Sequence, residues 1–439
     1  MFIFCLGCFA ALGMAPVYLW PLTAFGYAIL VYTLSKLQSW KRAGLTTFLF
    51  FFGYHICGLY WVSASLFVDF DTWWWALPFS SMGLPIACAL FPTLFVTIAS
   101  LSPKYRGALF IIALAYADYV RGFLFTGFVW NNPIHGLVNN DIVMSVLPHV
   151  GFYLLNALII ACFCLPHIFN KRLIIAIYAG VIGLLYVSPM VIHLPVNPVT
   201  QPPHNTILVQ ANIAQKDKWN SDLVMGNLAK YIKMSQSAVN ENNAYVIIWP
   251  ETALSQNLLS YPQANAMVAD FLNGVPQGSV LITGLLNSHD GRYYNSLVAF
   301  NTNGEIIARF DKHHLVPFGE YMPLGLGTIT GFDGFSAGEK PATMHVGEIT
   351  FLPLICYEII FPEYSHAAMG SDFILNITND SWFGNTAGPY QHLDHARLRA
   401  IENNKPVLRL SGNGISGWVN ESGEIINRTL LNHPAIIKF

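Results

Sequence analysis

Apolar residues crowd the first half of the chain and alternate with polar ones in the second. Up to about residue 203 the chain runs as long apolar stretches broken by short polar or proline-containing breaks. A bilayer core needs roughly 20 apolar residues per helix. The breaks leave about seven candidate spans, near 1–14, 20–35, 45–67, 76–100, 107–127, 142–166 and 173–194. The first is short and borders the break at Ala15-Pro16; it lacks the basic leader and cleavage site of a signal peptide. A proline-rich linker follows at 195–204, with Pro195, Pro198, Pro202 and Pro203.

From residue 205 the pattern changes period. Short apolar runs predict strands at 206–210, 244–249, 280–284, 296–300, 305–310, 349–355, 373–377, 406–411, 414–419 and 424–428. The turn Asn301-Thr302-Asn303-Gly304 joins two of them as a hairpin. Helical periodicity covers 221–240 and 389–403, the second with Pro389 in its first turn. Strands mixed with helices over this length indicate a layered α/β or α+β domain. The domains expected are therefore a helix bundle over 1–194, the linker and a soluble domain over 205–439.

Charge sharpens this division. Residues 1–203 hold 12 of the chain's charged side chains and no glutamate, and the remaining 34 lie beyond. Lys36, Lys41 and Arg42 follow the second span, Lys104 and Arg106 the fourth, and Lys171 and Arg172 the sixth. The alternate loops carry Asp69, Asp71 and Asp141, with Arg121 the one cation near them. By the positive-inside pattern the first set is cytoplasmic. Seven crossings then put the soluble half in the periplasm of a Gram-negative cell. A net charge of −2 gives no sign of nucleic-acid binding.

Asp118 and Arg121, three residues apart, predict a structural ion pair within the bundle. Trp73, Trp74 and Trp75 fit an interfacial aromatic belt. The segment Gly127 to Pro133 reads as an outer loop that either lines a lipid entry or joins two helices. His313 with His314, and His392 with His395, lack the carboxylate and third ligand of a zinc site, so no metal is expected.

Six of the seven cysteines (Cys5, Cys8, Cys57, Cys88, Cys162, Cys164) lie in the apolar half. Cys356 stands alone in the second, at the end of an apolar run and two residues before Glu358. A free cysteine is usually a small buried hydrophobe. Here Glu251 follows the strand end Trp249-Pro250, and Lys312 lies just beyond another strand. Active sites gather where strands end. A carboxylate base, a cation and a thiol are the parts needed for acyl transfer through a thioester.

The order Glu251, Lys312, Cys356 resembles the Glu-Lys-Cys triad of the nitrilase superfamily. The fit extends to its membrane branch, the apolipoprotein N-acyltransferases. It is carried by Ile248-Trp249-Pro250-Glu251-Thr252-Ala253, by Lys312-His313-His314-Leu315-Val316-Pro317-Phe318-Gly319-Glu320-Tyr321 and by Ile355-Cys356-Tyr357-Glu358. Asn379 to Gly384, Gln391 to Ala400, Pro16 to Leu22, Arg121-Gly122 and Thr126 to Trp130 match as well. The resemblance implies a multi-pass α-helical membrane bundle joined to an α/β nitrilase-like αββα sandwich. It implies a bacterial inner-membrane enzyme with its catalytic domain on the periplasmic side.

In that resemblance Cys356 takes an acyl chain from a phospholipid and passes it to the amine of a diacylglyceryl-cysteine on an apolipoprotein. Glu251 is general base and Lys312 stabilises the oxyanion. Glu320 holds Lys312 or assists proton transfer, Tyr357 and Glu358 support the nucleophile, Trp219 and Trp382 lie near substrate, and Asn295 is a polar residue of the domain core. No cofactor is implied, and the chain is expected to act as a monomer. Anchoring the domain above a bundle avoids drawing acyl chains into water, at about 0.8 kcal/mol per CH₂. The triad leaves open a membrane-tethered amidase, with water as acceptor, and a silent lipid- or lipoprotein-binding homologue. Two departures stand out. The family's pattern continues into a further C-terminal transmembrane helix, and nothing after Gly423 could be one. Gly412 stands where the family typically has Asn.

Overall fold

The structure is a computed structural model. It describes residues 1–102, 106–167, 172–190, 200–240, 243–255, 261–323 and 334–439. The chain forms two compact units, one of Met1–Asn197 with Thr386–Leu398, the other of Pro198–Asn385 with Arg399–Phe439. Lys104, Lys171 and the linker as far as 199 lie outside the described residues.

The first unit is helical. Its main helices are α1 (Phe2–Ala10), α2 (Trp20–Lys36), α3 (Trp40–Gly58), α4 (Leu84–Ala99), α5 (Arg106–Arg121), α6 (Phe152–Cys164) and α7 (Arg172–Val187). Each expected span contains one, but most are shorter than the apolar stretch that marks it. Among the described residues one helix, Phe79–Ala99, is long and apolar enough to cross a membrane. A second candidate exists if Trp40–Gly58 and Tyr60–Ala76, bent by 47°, count together. The shortening has local causes. Helix α5 stops where the Arg121 guanidinium turns back to bond the carbonyls of Phe128 and Trp130 at 2.8 and 2.7 Å. The stretch at 142–166 is broken at Gly151, whose φ of 77° is left-handed.

Packing in this unit relies on small residues. Gly7 of α1 lies against the Phe50 backbone and Gly53 of α3 against that of Phe4, so neither position has room for a Cβ. Tyr27 meets Phe50 and Phe51 edge-on at 5.8 Å. The expected pair is present: Arg121 Nη2 bonds Asp118 Oδ1 at 3.0 Å, and Asn156 donates to the other carboxylate oxygen. The loop after α5 is not a wet connection, since Trp130, Asn131 and Asn132 are buried. Gln391 accepts from the indoles of Trp61 and Trp130 at 2.9 and 2.8 Å. Trp74, Trp75 and Phe125 remain exposed.

The second unit is two six-stranded sheets. The strands are β1 (Thr206–Gln210), β2 (Val246–Ile248), β3 (Val280–His289), β4 (Arg292–Phe300), β5 (Ile306–Asp311), β6 (Met344–Val346), β7 (Ile349–Ile355), β8 (Phe373–Thr378), β9 (Val407–Ser411), β10 (Gly417–Val419), β11 (Ile425–Ile426) and β12 (Ala435–Lys438). One sheet has the order β12-β1-β2-β3-β4-β5, the other β11-β10-β9-β8-β7-β6. Each has a parallel centre, β1-β2-β3 in one and β7-β8-β9 in the other.

The inner faces meet in one core, where Leu208, Ile248, Ile282 and Leu297 pack with Phe351, Ile355, Leu375, Leu410 and Trp418. Outside the first sheet lie helices α9 (Val224–Gln236) and α10 (Pro262–Asn273), through Leu228, Tyr231, Val268 and Phe271. Strand β1 is buried at every position, as a parallel strand covered on both faces must be. Arg399 and Asn403, in the last turn of α11 (Gly388–Asn403), line a small space with Leu352, Leu354 and Ile374 of the other sheet. The layering is helix, sheet, sheet, helix.

Candidate active site

Three chain segments that leave strand ends form the candidate site. Cys356 is the first residue after β7 and begins a short 3₁₀ turn. Its φ of 53° is left-handed, an uncommon and strained state for a residue with a Cβ. Glu251 leaves β2 and is followed by Thr252, also left-handed at φ 49°. Lys312 follows β5, and its amide is fixed by a 2.8 Å bond to the Asn295 carbonyl. Strand β3 passes so near Glu251 that a Cβ on Gly284 would lie 2.5 Å from the Glu251 Cα and 2.7 Å from the Pro250 oxygen. Gly284→Ala is therefore expected to displace Glu251 and lower kcat/KM by about 10- to 100-fold, since misplacing a reacting group by an ångström has that effect. Steady-state acyl transfer checks it; wild-type kinetics would mean that Glu251 tolerates the shift.

The side chains converge in one buried group. Lys312, 1% exposed, bonds Glu320 Oε2 at 2.8 Å and Oε1 at 2.9 Å, with Glu251 Oε1 3.7 Å away. The Asn295 amide spends both protons on the carboxylates, 2.7 Å to Glu251 Oε1 and 2.9 Å to Glu320 Oε1. That bridge sets Asn295 between Glu251 and Glu320. Glu320 also accepts the Val316 amide at 2.8 Å. Glu251 Oε2 is buried and has no hydrogen-bond partner among the described residues. One oxygen of Glu251 is thus clamped and the other is free to take a proton.

Glu358, two residues after Cys356, has no exposed surface. Its Oε2 accepts the Ile355 amide at 2.7 Å, and its Oε1 accepts those of His313 and His314 at 2.8 and 3.0 Å. One carboxylate therefore ties the cysteine turn to the lysine loop. Tyr357 is buried edge-on against Phe361, with ring centres 5.1 Å apart. Trp219 and Trp382 are 41% and 38% exposed.

Electrostatics follow from burial. Burial pushes the Cys356 thiol above its ordinary range and Glu251 pushes it further, while Lys312 and a hydrogen bond with Thr378 pull it down. The resting group is the thiol. Burial opposes the charge of Lys312, but Glu320 and then Glu251 outweigh it and hold the ammonium above its usual range. Glu358 is raised to about 7, by burial first, against the pull of its three amide donors and Lys312.

One neighbour escaped the sequence reading. Lys218, at the end of α8 (Gln215–Lys218), is 2% exposed and donates to Asn379 Oδ1 at 2.7 Å. The signal available was a lysine just beyond the C-terminal end of a buried parallel strand and beside Trp219. The imidazoles have ordinary partners: His313 Nδ1 lies 2.9 Å from the Gly338 carbonyl and His314 Nδ1 3.2 Å from the Tyr364 hydroxyl. Nδ1 of His395 meets His135 Nε2 at 3.3 Å within the helical unit.

A thiol, a carboxylate and an ammonium at the strand ends of a four-layer sandwich define a carbon–nitrogen hydrolase, and the carbon–nitrogen hydrolase family model matches residues 207–436. A second model, the apolipoprotein N-acyltransferase N-terminal domain, matches residues 6–165. An apolipoprotein N-acyltransferase of Allorhizobium ampelinum is 33% identical, covering 98% of this chain and 87% of its own length. One from Brucella suis is 34% identical over 88% of this chain and 77% of its own. A solved carbon–nitrogen hydrolase superfamily protein, XC1258 of Xanthomonas campestris, is similar with a TM-score of 0.41 and 19% identity, over 53% of this chain and 88% of its own. The chain belongs to the apolipoprotein N-acyltransferase family.

Proposed function

We propose that this chain N-acylates lipoproteins, moving a fatty acyl group from a membrane phospholipid to the N-terminal amine of a diacylglyceryl-cysteine. The observation that carries the reading is the buried convergence of Glu251 and Lys312 on the charge environment of Cys356, with one Glu251 oxygen unpartnered among the described residues. The family's named activity and the apolar helices of the same chain support a lipid donor and a lipoprotein acceptor. In this reading the helical unit spans the inner membrane several times, with the catalytic unit on the periplasmic side, and the enzyme works as a monomer.

The Cys356 thiol passes its proton to Glu251 as sulfur bonds the ester carbonyl carbon. The negative oxygen of the tetrahedral species lies against the Lys312 ammonium. The ester C–O bond breaks, the departing lysophospholipid oxygen takes the proton back from Glu251, and a thioester remains. The acceptor amine attacks next, giving a proton to Glu251; the C–S bond breaks and the sulfur is reprotonated. Glu320 and Asn295 keep Lys312 and Glu251 apart at their working distance, and Glu358 and Tyr357 hold the turn. Trp219 and Trp382, partly exposed, offer apolar surface to the acyl chains.

Purified protein in detergent, incubated with phosphatidylethanolamine, should gain the mass of one acyl chain, labile to hydroxylamine. A diacylglyceryl peptide should discharge that adduct and gain the chain on its amine. Discharge to water alone would favour an amidase-like hydrolase, and no adduct would sink the reading.

A further inference from the structure

Lys218 is a buried ammonium whose one hydrogen-bond acceptor among the described residues is a neutral amide. Its Nζ donates to Asn379 Oδ1 at 2.7 Å, and Asn379 is held in orientation by its own donation to Gln215 Oε1 at 2.8 Å. The Lys218 carbonyl accepts the Ser255 hydroxyl at 2.5 Å. Its backbone is thus tied to the segment that carries Glu251, and its tip to the segment leaving β8. Burying an ammonium is costly unless an anion answers it. Parallel pairing of Ile355 with Ile377 sets Cys356 beside Thr378, to which it is hydrogen-bonded, and Thr378 precedes the Asn379 that Lys218 grips. The anionic groups whose charge Lys218 senses are Glu251, Cys356 when ionised, and Asp380. Asp380 is already neutralised by Arg409 at 2.9 Å, and Glu251 is shared with Asn295 and Lys312. The sulfur of Cys356 is the anion left to it.

Counting charges points the same way. Once the thiol has given its proton to Glu251, the anions beside Lys312 are Glu320 and the thiolate. Lys312 alone balances one of them, and Glu320 holds it with both oxygens. With Lys218 two cations answer Glu320 and the thiolate; without it one more negative charge stays buried unanswered. Space has been left for this cation: a Cβ on Gly412 would lie 3.1 Å from Nζ and 3.6 Å from the Asn379 oxygen.

We propose that Lys218 is a second cation of the site, a positioning residue that stabilises the Cys356 thiolate as it attacks and as it leaves. The proposal rests on Cys356 being the nucleophile. Burial brings the Lys218 ammonium down to about 8, against the pull of Glu251, Cys356 and Asp380. Its charge is therefore present at neutral pH and lost just above it, which predicts an alkaline fall in acyl transfer starting near that value.

The test uses the full chain in detergent as wild type, Lys218→Met and Lys218→Arg. The rate of iodoacetamide alkylation at Cys356, read by peptide mass spectrometry, needs no lipid. Lys218→Met should slow it about tenfold at pH 7, the effect of one unit in the thiol's ionisation. Lys218→Arg should keep the neutral rate and remove the alkaline fall in acyl transfer, because a guanidinium does not deprotonate there. An arginine variant that still declines above pH 8 would overturn the proposal even if the methionine variant failed to fold. So would a folded methionine variant alkylated at the wild-type rate. A wild-type protein that is neither alkylated nor acylated at Cys356 would instead defeat the nucleophile reading.

Discussion

Cys356→Ala is expected to abolish acyl transfer, by about 10⁴-fold or more, while leaving the fold intact. Loss of the nucleophile removes the covalent route, and other groups cannot replace it, so the effect is of the size found when catalytic nucleophiles are deleted. Cys356 packs at the margin of the inter-sheet core, so alanine removes one sulfur's contacts there without a change of backbone state. Cys356→Gly goes further. At φ 53° a residue with a Cβ is strained and glycine is not. The glycine variant should be equally inactive yet more stable by about 0.5–1 kcal/mol. Intact mass after phospholipid incubation and thermal melting in detergent read the two effects. A glycine variant less stable than wild type would mean that the turn gains more from the sulfur's contacts than it loses to strain. An alanine variant that still transferred acyl chains would remove Cys356 from the mechanism.

Part of the candidate site was legible in the sequence. A thiol, a carboxylate and an ammonium each follow a strand whose apolar run is easy to see, so Cys356, Glu251 and Lys312 could be picked out by position and chemistry. What binds them could not. Asn295 bridges Glu251 and Glu320 from the opposite side of a hairpin, and Lys218 reaches Asn379 across 161 positions of sequence. No spacing encodes such meetings; they exist only once the parallel strands are in register.

The strands themselves were legible where both faces are buried. β3 and β4 continue well past the predicted ends, to His289 and back from Arg292, because that end is polar and partly exposed. The Asp290-Gly291 turn between them was an unused hairpin signal. The helix Pro262–Asn273 and the short strands Met344–Val346 and Ala435–Lys438 were missed as well. The last gains its place from antiparallel pairing with β1, not from its own four residues. In the helical unit, apolar length overstated helix length, because buried Arg121 and left-handed Gly151 end helices inside apolar stretches.

Glu358 should give the second large effect, and its pH dependence separates two roles. Its carboxyl is raised from 4.5 to about 7 by burial. A folded-state value above the unfolded one means that the folded chain binds the extra proton. That contribution to stability is full below about 4.5 and is lost as pH rises through about 7. Over this window the wild type should lose about 3 kcal/mol. Activity should move the opposite way, because only the carboxylate can accept the amides of Ile355, His313 and His314 together. Glu358→Gln stays neutral and turns an NH₂ toward one set of these donors, at about 1–3 kcal/mol for buried groups left unpaired. The cysteine turn and the lysine loop would then lose their common anchor. Acyl transfer should fall about 100-fold or more, as expected when reacting groups lose their alignment. The acid limb near pH 7 should vanish, and the fall of melting temperature with rising pH toward 7 should become shallower than in wild type. A glutamine variant that kept the wild-type slope of stability with pH would place that proton on another group, and one with wild-type kinetics would show that the two segments hold their geometry without the carboxylate.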